Sequence, residues 1–361
     1  MEETSPKKSE LKKSCVNCGA ELTYAPGTTE LKCDYCGYTQ TIAPSENEFE
    51  ELELKPYLEK MGSQSHSEEI TMLHCKNCGA NQHIEENYKS LSCIYCGSPL
   101  IIEDAYKEEW ILPGAVLPFQ IDQKKAHQIL KKWVDGLWFA PDNLKKAAID
   151  PDNTRGLYAP YWTFDAQLYA NYTGQRGEYY YVSRTVGSGK NRRTVRERRT
   201  RWYPASGNVS GFVDDTLVRA SNQKKGVLPM DVARWNLKML QPFDSSYLSG
   251  FVTEKYTIPL LDGHNESNKV AESIADTWVR RDIGGDTQQV SSMNMKLSEE
   301  TFKHILLPVY VSTYRYKGKR YNFFVNGQSG IISGERPYSF WKIFFMVLAI
   351  LCVIGAIYLF S

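Results

Sequence analysis

The sequence lacks a charge excess of either sign. Its 361 residues contain 43 Lys and Arg against 42 Asp and Glu, for a formal net charge of +1. Composition alone therefore selects no nucleic-acid partner, because such proteins usually show a basic excess. The N-terminal stretch MEETSPKKSELKK contains no apolar run, so no secretory signal peptide is expected there. Cysteines in such a chain are expected to stay reduced, which favours metal binding over disulfides.

Motifs for catalysis are also lacking. The six histidines form no HExxH arrangement, and neither a serine elbow nor a helicase-type nucleotide motif is present. Gly187-Ser-Gly-Lys190 lacks the spacing of a phosphate-binding loop, so it indicates a hairpin turn. Asp214 and Asp215 are neighbours in a strand-like segment, which predicts opposite faces and a surface turn rather than a carboxylate pair. The sequence therefore predicts a protein that is not an enzyme.

What the sequence does contain is one cysteine pattern in two copies. In each copy two CxxC pairs are separated by fourteen residues, and the second copy follows the first by sixty positions at every cysteine. Glycine follows the second and fourth cysteine of each copy. This spacing predicts two Cys₄ zinc ribbons, at 13–44 and 71–103, each holding one structural Zn²⁺ in a closed tetrahedral site. The predicted ligands are Cys15, Cys18, Cys33, Cys36, Cys75, Cys78, Cys93 and Cys96.

The C-terminal residues form the longest apolar run. Positions 343–360 read IFFMVLAILCVIGAIYLF, without any charged residue, and predict a transmembrane helix over 340–360. A buried core helix is the disfavoured alternative, because the segment is apolar on every side. Arg336 and Lys342 precede the segment. The positive-inside rule then predicts a single-pass, tail-anchored protein of the cell membrane whose N-terminal bulk lies in the cytoplasm.

The remaining chain divides by composition. Residues 1–12 predict a disordered tail, and residues 45–70 an acidic linker. Between positions 46 and 69 there are eight Glu and two Lys, which favours a solvated spacer, and Pro56 is expected to interrupt any helix there. Residues 104–336 predict one strand-rich α+β domain. Within it, helices are expected at 122–137 and 266–280, and strands at 157–172, 178–184, 194–203 and 209–218.

A basic hairpin is predicted at 184–201, where eight basic residues accompany a single acid, Glu197. Strand alternation charges both faces, so the hairpin should project from the core. Four interpretations remain open: contact with a nucleic-acid backbone, with anionic lipid, with acidic protein including the linker, or a solvated edge that deters strand pairing. The candidate binding residues are Arg192, Arg193, Arg196, Arg198, Arg199 and Arg201.

Several of these features together resemble a known family. The CxxCG ribbons, the run 157–166 (LYAPYWTFDA), the segment 200–207 (TRWYPASG) and the C-terminal span are similar to bacterial membrane proteins with transcription-factor-IIB-like zinc ribbons, of the YdjG type. Relatives are sometimes labelled primosomal or helicase-related, although this chain lacks a motor domain. The resemblance implies a membrane-stress role, in which a soluble zinc-ribbon or flotillin-like adaptor and a phage-shock-protein-A-like protein are docked.

Two functional hypotheses follow. The first is a non-enzymatic, tail-anchored zinc-ribbon scaffold that docks cytosolic or membrane protein partners at the cytoplasmic face. The residues between the paired cysteines are neutral as a set and include Tyr35 and Tyr95, which favours protein contact over nucleic acid. The alternative is a membrane-tethered nucleic-acid-binding protein that uses the ribbons and the basic hairpin.

Overall fold

The computed structural model describes residues 13–43, 51–60, 67–77, 81–83, 91–95, 98–100, 105–142, 144, 154–187, 192–221, 234–316 and 319–360. The strands are β1 (Leu22–Tyr24), β2 (Glu30–Cys33), β3 (Thr39–Thr41), β4 (Leu52–Glu53), β5 (Ser67–His74), β6 (Asn81–His83), β7 (Leu91–Ser92), β8 (Pro99–Leu100), β9 (Ala105–Ile111), β10 (Ala115–Val116), β11 (Thr154–Val186), β12 (Arg193–Arg219), β13 (Gln241–Pro242), β14 (Val252–Glu254), β15 (Thr287–Tyr316), β16 (Lys319–Asn326) and β17 (Ile332–Gly334). The helices are α1 (Leu54–Lys60), α2 (Gln123–Asp135), α3 (Leu260–Ile283) and α4 (Phe340–Phe360).

Three very long strands organise the domain. β11 lies between β12 and β15, antiparallel to both, and its pairing with β15 runs from Thr154↔Ser312 to Gly177↔Thr287. At about 3.3 Å per residue, the 33 residues of β11 extend for roughly 110 Å. The strand-rich α+β domain predicted from the sequence is therefore present.

The predicted strand breaks do not occur. The sequence places a gap at 173–177, where two glycines lie, but β11 continues through it. The two glycines do not form a turn. They allow the neighbouring strand β15 to approach β11 closely. A Cβ atom at Gly174 would lie 2.4 Å from the Gln289 carbonyl oxygen, and one at Gly177 would lie 2.5 Å from a methyl carbon of Thr287. Glycine within a strand commonly marks such an approach.

Helix α3 covers one face of this long sheet. Its buried residues recur every four positions (Gly263, Ser267, Ala271, Ala275, Val279 and Ile283). Most of these side chains are small, so the helix packs closely against Leu168, Ala170 and Val213 of the sheet. The helix predicted at 266–280 is present within α3. The other predicted helix is α2, which begins after Asp122, whose carboxylate accepts a hydrogen bond from the Lys125 amide at 2.6 Å.

The two cysteine regions join the domain differently. β1, β2 and β3 form a separate three-stranded sheet around the first cysteines. That sheet packs on an aromatic core, where the Tyr24 hydroxyl donates to the carbonyl oxygens of Thr28, at 2.8 Å, and Phe119, at 3.3 Å. By contrast, β5 and β6 of the second region belong to the main sheet, which contains twelve of the described strands. Both cysteine regions are therefore packed against the rest of the domain.

Part of the predicted acidic linker is structured, which differs from a solvated spacer. Strand β4 pairs with β15, and Leu54 is buried beside Trp162 and Phe302. Pro56 does not interrupt α1, because it lies in the first turn, where a helix needs no amide donor. Residues 45–50 and 61–66 of the linker, like the predicted tail at 1–12, lie outside the described residues.

A buried lysine ties this segment to the long sheet. Lys303 Nζ lies 2.9 Å from a carboxylate oxygen of Glu51, 3.3 Å from one of Asp215 and 3.7 Å from one of Asp165. Burial raises the pKa of Asp165 to about 6, against the opposing effects of the Asp215 amide and Lys303. The cluster therefore joins three parts of the chain through one cation.

Replacing Lys303 by Met should destabilise the fold, because Asp165 would keep a buried carboxylate without its cation. Removing one partner of a buried ion pair typically costs about 3 kcal/mol or more. Urea unfolding of the detergent-solubilised chain, followed by tryptophan fluorescence, measures the loss. Lys269→Met is the matched control, since Lys269 makes an exposed pair with Glu266 and should cost less than about 0.5 kcal/mol. Equal effects of the two variants would contradict the role assigned to Lys303.

Candidate metal centre and partner-binding surfaces

The first four cysteines converge on one point. Cys33 ends β2, and Cys15, Cys18 and Cys36 lie in the loops beside it. The sulfur atoms all lie within 4.8 Å of one another, with Cys15 Sγ 3.5 Å from Cys36 Sγ and Cys18 Sγ 3.6 Å from Cys33 Sγ. A tetrahedral Zn²⁺ with bonds of about 2.3 Å separates its sulfur ligands by about 3.8 Å. The cluster therefore fits a closed Cys₄ metal site.

The predicted glycines shape this site. Gly19 and Gly37 have φ angles of 73° and 76°, in the left-handed region that glycine adopts without strain. Their amides donate to the carbonyl oxygens of Cys15, at 2.8 Å, and Cys33, at 2.9 Å, which closes each turn. Each CxxCG segment thus folds back and aims two sulfurs inward.

The electrostatics of the cluster favour a bound cation. Backbone amides of Cys36 and Tyr35 stabilise the thiolate of Cys33 and, against the effect of burial, lower its pKa to about 7. The Ala20 amide lowers the pKa of Cys18, but burial and the neighbouring sulfurs outweigh it and raise this pKa to about 12. Four sulfurs this close cannot all ionise by themselves, because each thiolate repels the next. A dication removes that repulsion, so metal and deprotonation are coupled.

The second cysteine set is only partly described. Cys75 and Cys93 are buried, whereas Cys78 and Cys96 lie outside the described residues. The part that is described repeats the first copy. β7 pairs with β8 as Ser92↔Pro99, sixty positions after Lys32↔Thr39. The duplication in the sequence is therefore also a duplication of this hairpin, while the second metal site stays a prediction.

The tips of the two copies face different surroundings. In the first copy Val16 and Tyr35 are 75% and 85% exposed. In the second copy Tyr95, the counterpart of Tyr35, is 2% exposed, and its hydroxyl donates to the buried carboxylate of Glu254. The Tyr95 carbonyl also accepts a hydrogen bond from Thr313 at 3.0 Å. Tyr95 is thus docked within the chain and Tyr35 is open to solvent, while Lys76, the counterpart of Val16, is exposed like Val16 itself.

The predicted basic hairpin is the far end of the β11–β12 pair. Its strands pair to Val186↔Arg193, beyond the last contact with β15 at Gly177, so a two-stranded ribbon projects. Positions 188–191 of the predicted turn lie outside the described residues. All six predicted side chains are exposed (Arg192, Arg193, Arg196, Arg198, Arg199 and Arg201).

Tyrosines accompany these arginines, and the sequence analysis missed them. Arg198 lies 4.3 Å from the ring centre of Tyr179, Arg201 5.2 Å from that of Tyr180, and Arg196 5.3 Å from that of Tyr181. The sequence contains three consecutive tyrosines at 179–181, and these could have indicated an aromatic partner for the arginines. We call residues 178–186 and 193–203 the arginine–tyrosine arm.

The prediction for Asp214 and Asp215 needs correction. Their carboxylates lie within 4.8 Å of each other and of Asp165, instead of on opposite faces. Alternation fails because the β11–β12 pairing shifts register between Phe164 and Ala166, and Asp215 has a φ angle of 49°. Lys303 supplies the positive charge for this group.

The predicted C-terminal span is a continuous helix. Within α4, the segment Phe340–Tyr358 has a mean hydropathy of 2.5, and none of its most apolar stretch is buried against the described residues. By length and composition α4 is one candidate membrane-spanning helix.

Comparison with known proteins gives one distant relative to report. The uncharacterized protein YdjG of Bacillus subtilis (strain 168) is 26% identical over 242 residues, which cover 64% of this chain and 66% of YdjG. The match thus spans just under two thirds of the relative's length. This homologue supports a YdjG-like family for the chain. No family model matches the sequence, and no solved structure matches it.

Metal analysis of reduced, freshly purified protein should find about two zinc ions per chain, since a closed Cys₄ site binds one. Changing Cys15→Ser together with Cys18→Ser should remove about one of them, because two sulfurs cannot complete the tetrahedron. Cys75→Ser with Cys78→Ser tests the second site in the same way. Cys352→Ser is the control, as Cys352 lies in α4. Unchanged zinc in the Cys15/Cys18 variant would contradict the first site.

Proposed function

We propose that this protein is a non-enzymatic zinc-ribbon scaffold that docks protein partners at the cytoplasmic face of the cell membrane. In this proposal α4 is the membrane anchor, and the first ribbon, of the transcription-factor-IIB type, is the recognition module. The Cys₄ geometry and the apolar helix support the proposal.

The observation that carries the proposal is the contrast between the two tips. Tyr95 shows how such a tip binds: the ring is buried among apolar side chains and the hydroxyl donates to a carboxylate. Tyr35 stands at the same position of the duplicate and is exposed, as is Val16 in the other CxxC turn of the same cysteine cluster. We infer that Tyr35 and Val16 bind a partner segment that presents an acceptor, such as a carboxylate, within an apolar surface.

The resemblance to YdjG-type proteins suggests the partner class. A soluble zinc-ribbon or flotillin-like adaptor, linked to a phage-shock-protein-A-like protein, fits a scaffold held at the membrane. Anionic lipid is a further candidate ligand for the arginine–tyrosine arm, because basic residues near such a surface contribute on the order of 1 kcal/mol each.

A photo-crosslinking amino acid at position 35 should give a discrete protein adduct in native membranes. The adduct should disappear with Val16→Asp, because a charge on the same exposed tip opposes its burial against a partner. The matched control is position 261, where Leu261 is also exposed but belongs to α3 and to neither cysteine region. The proposal fails if the same adduct forms at 261, or if Val16→Asp leaves it unchanged.

The arginine–tyrosine arm supports a second candidate, membrane-tethered nucleic-acid binding. Guanidinium groups placed over tyrosine rings are a known combination at single-stranded nucleic acids, where bases stack on aromatic side chains. The near-neutral net charge and the absence of a motor motif in the sequence weigh against it.

Salt dependence separates the two candidates. A nucleic-acid arm requires an affinity for single-stranded DNA that falls steeply with salt, because bound phosphates release counterions. Under the scaffold proposal the full chain and a variant with Arg192, Arg193, Arg196, Arg198 and Arg199 changed to Ser should bind DNA equally weakly. Fluorescence anisotropy at two salt concentrations measures this. A strong, salt-sensitive affinity that the variant loses would favour the second candidate.

A further inference from the structure

The segment that follows α2 lies directly against the first turns of α4. The Phe139 carbonyl accepts a hydrogen bond from the Ser339 amide at 2.7 Å. Lys342 Nζ donates to the Ala140 carbonyl at 2.9 Å and to the Asp142 carboxylate at 2.6 Å. These bonds fix a loop, residues 136–140, beside the helix that we assign as the membrane anchor.

A cleft separates this loop from the helix. Gly136, Trp138 and Phe139 line one side, and Phe345, Met346 and Ala349 line the other. At 1.5 Å per residue, Ala349 lies about 14 Å along the axis from Phe340. The cleft therefore extends over the same part of α4 that enters the bilayer if the helix spans it. Its wall is mostly apolar, with Asp135 and Lys342 as its charged residues.

The side chains around the cleft have the chemistry of a membrane interface. Trp138 is 79% exposed, and Tyr338, Phe340 and Trp341 are exposed at the start of α4. Tryptophan and tyrosine prefer the headgroup level, where a ring is partly apolar and partly wet. Lys342 is paired with Asp142, which lowers the cost of bringing this cation to the headgroup level. A group of exposed aromatic residues indicates a binding surface. Because this surface lies beside the proposed membrane anchor α4, the lipid bilayer is the partner it would contact.

We propose that loop 136–140 is a second membrane contact, with Trp138 in the lipid interface and acyl chains in the cleft between the loop and α4. The proposal rests on the proposed anchoring by α4 and adds to it. One helix alone leaves the domain free to tilt and rotate above the bilayer. A second contact beside the helix restricts both motions, so the zinc ribbon and the arginine–tyrosine arm are held at defined heights.

Lipid crosslinking from three positions tests this in the full chain. A photo-crosslinking amino acid is placed at 138, 345 or 212, in protein reconstituted into vesicles of phosphatidylethanolamine and phosphatidylglycerol. Position 345 reports the anchor itself. Position 212 is the matched control, because Phe212 is an exposed aromatic residue of β12 outside the arginine–tyrosine arm. We expect lipid adducts at 138 and 345 at comparable yield, and only background at 212.

The outcomes distinguish the two claims. Adducts at 345 with only background at 138 would overturn the second contact and leave the anchor intact. Equal labelling at 138 and 212 would also overturn it, since contact would then be unspecific. Background at 345 would overturn the anchoring and this inference together. Trp138 is exposed, so the substitution removes no core packing, and the unfolding curve of each variant verifies that the fold is retained.

Discussion

Backbone pairing along β11 is the constraint on which the other features depend. This strand is bonded to β12 on one side and β15 on the other, so its position fixes both. Near its start, β11 also pairs with β14. β14 pairs in turn with β6, which belongs to the second cysteine region. Towards the C-terminal end of β11 the pairing with β15 ends at Gly177. Beyond that point β11 pairs with β12 alone, and these two strands form the arginine–tyrosine arm. A single strand thus sets where the domain core ends and where the exposed ribbon begins.

Local chemistry made some of this structure predictable. The CxxCG spacing identified the four sulfurs that converge around Cys33, because a tight turn with glycine needs only adjacent residues. The apolar run identified α4 for the same reason, since length and composition decide whether a helix can span a bilayer. The N-terminus of α2 followed from Asp122, whose side chain caps an amide three residues away. Each of these features depends on contacts between residues close in sequence.

Features that depend on distant contacts were not predictable. Glycines at 174 and 177 resemble strand breaks until the neighbouring strand occupies the space of their missing side chains. Asp214 and Asp215 meet Asp165 only because a register shift disrupts the alternation of a strand. Glu51 belongs to a stretch whose acidity suggests solvent, yet its carboxylate bonds a lysine 252 positions away. No local pattern contains these partners.

The metal site and the domain share their supporting residues, which has a consequence for stability. β1 and β2 carry Leu22, Tyr24 and Leu31 into the aromatic core, and β2 ends in the ligand Cys33. The same short strands therefore provide both a sulfur of the candidate metal site and the contacts that hold the ribbon to the domain. Because a Cys₄ site forms together with the fold around it, the free energy of metal binding also stabilises this docking. A metal bound by these four sulfurs would thus fix where Tyr35 and Val16 stand relative to the sheet, in addition to forming the tip that carries them.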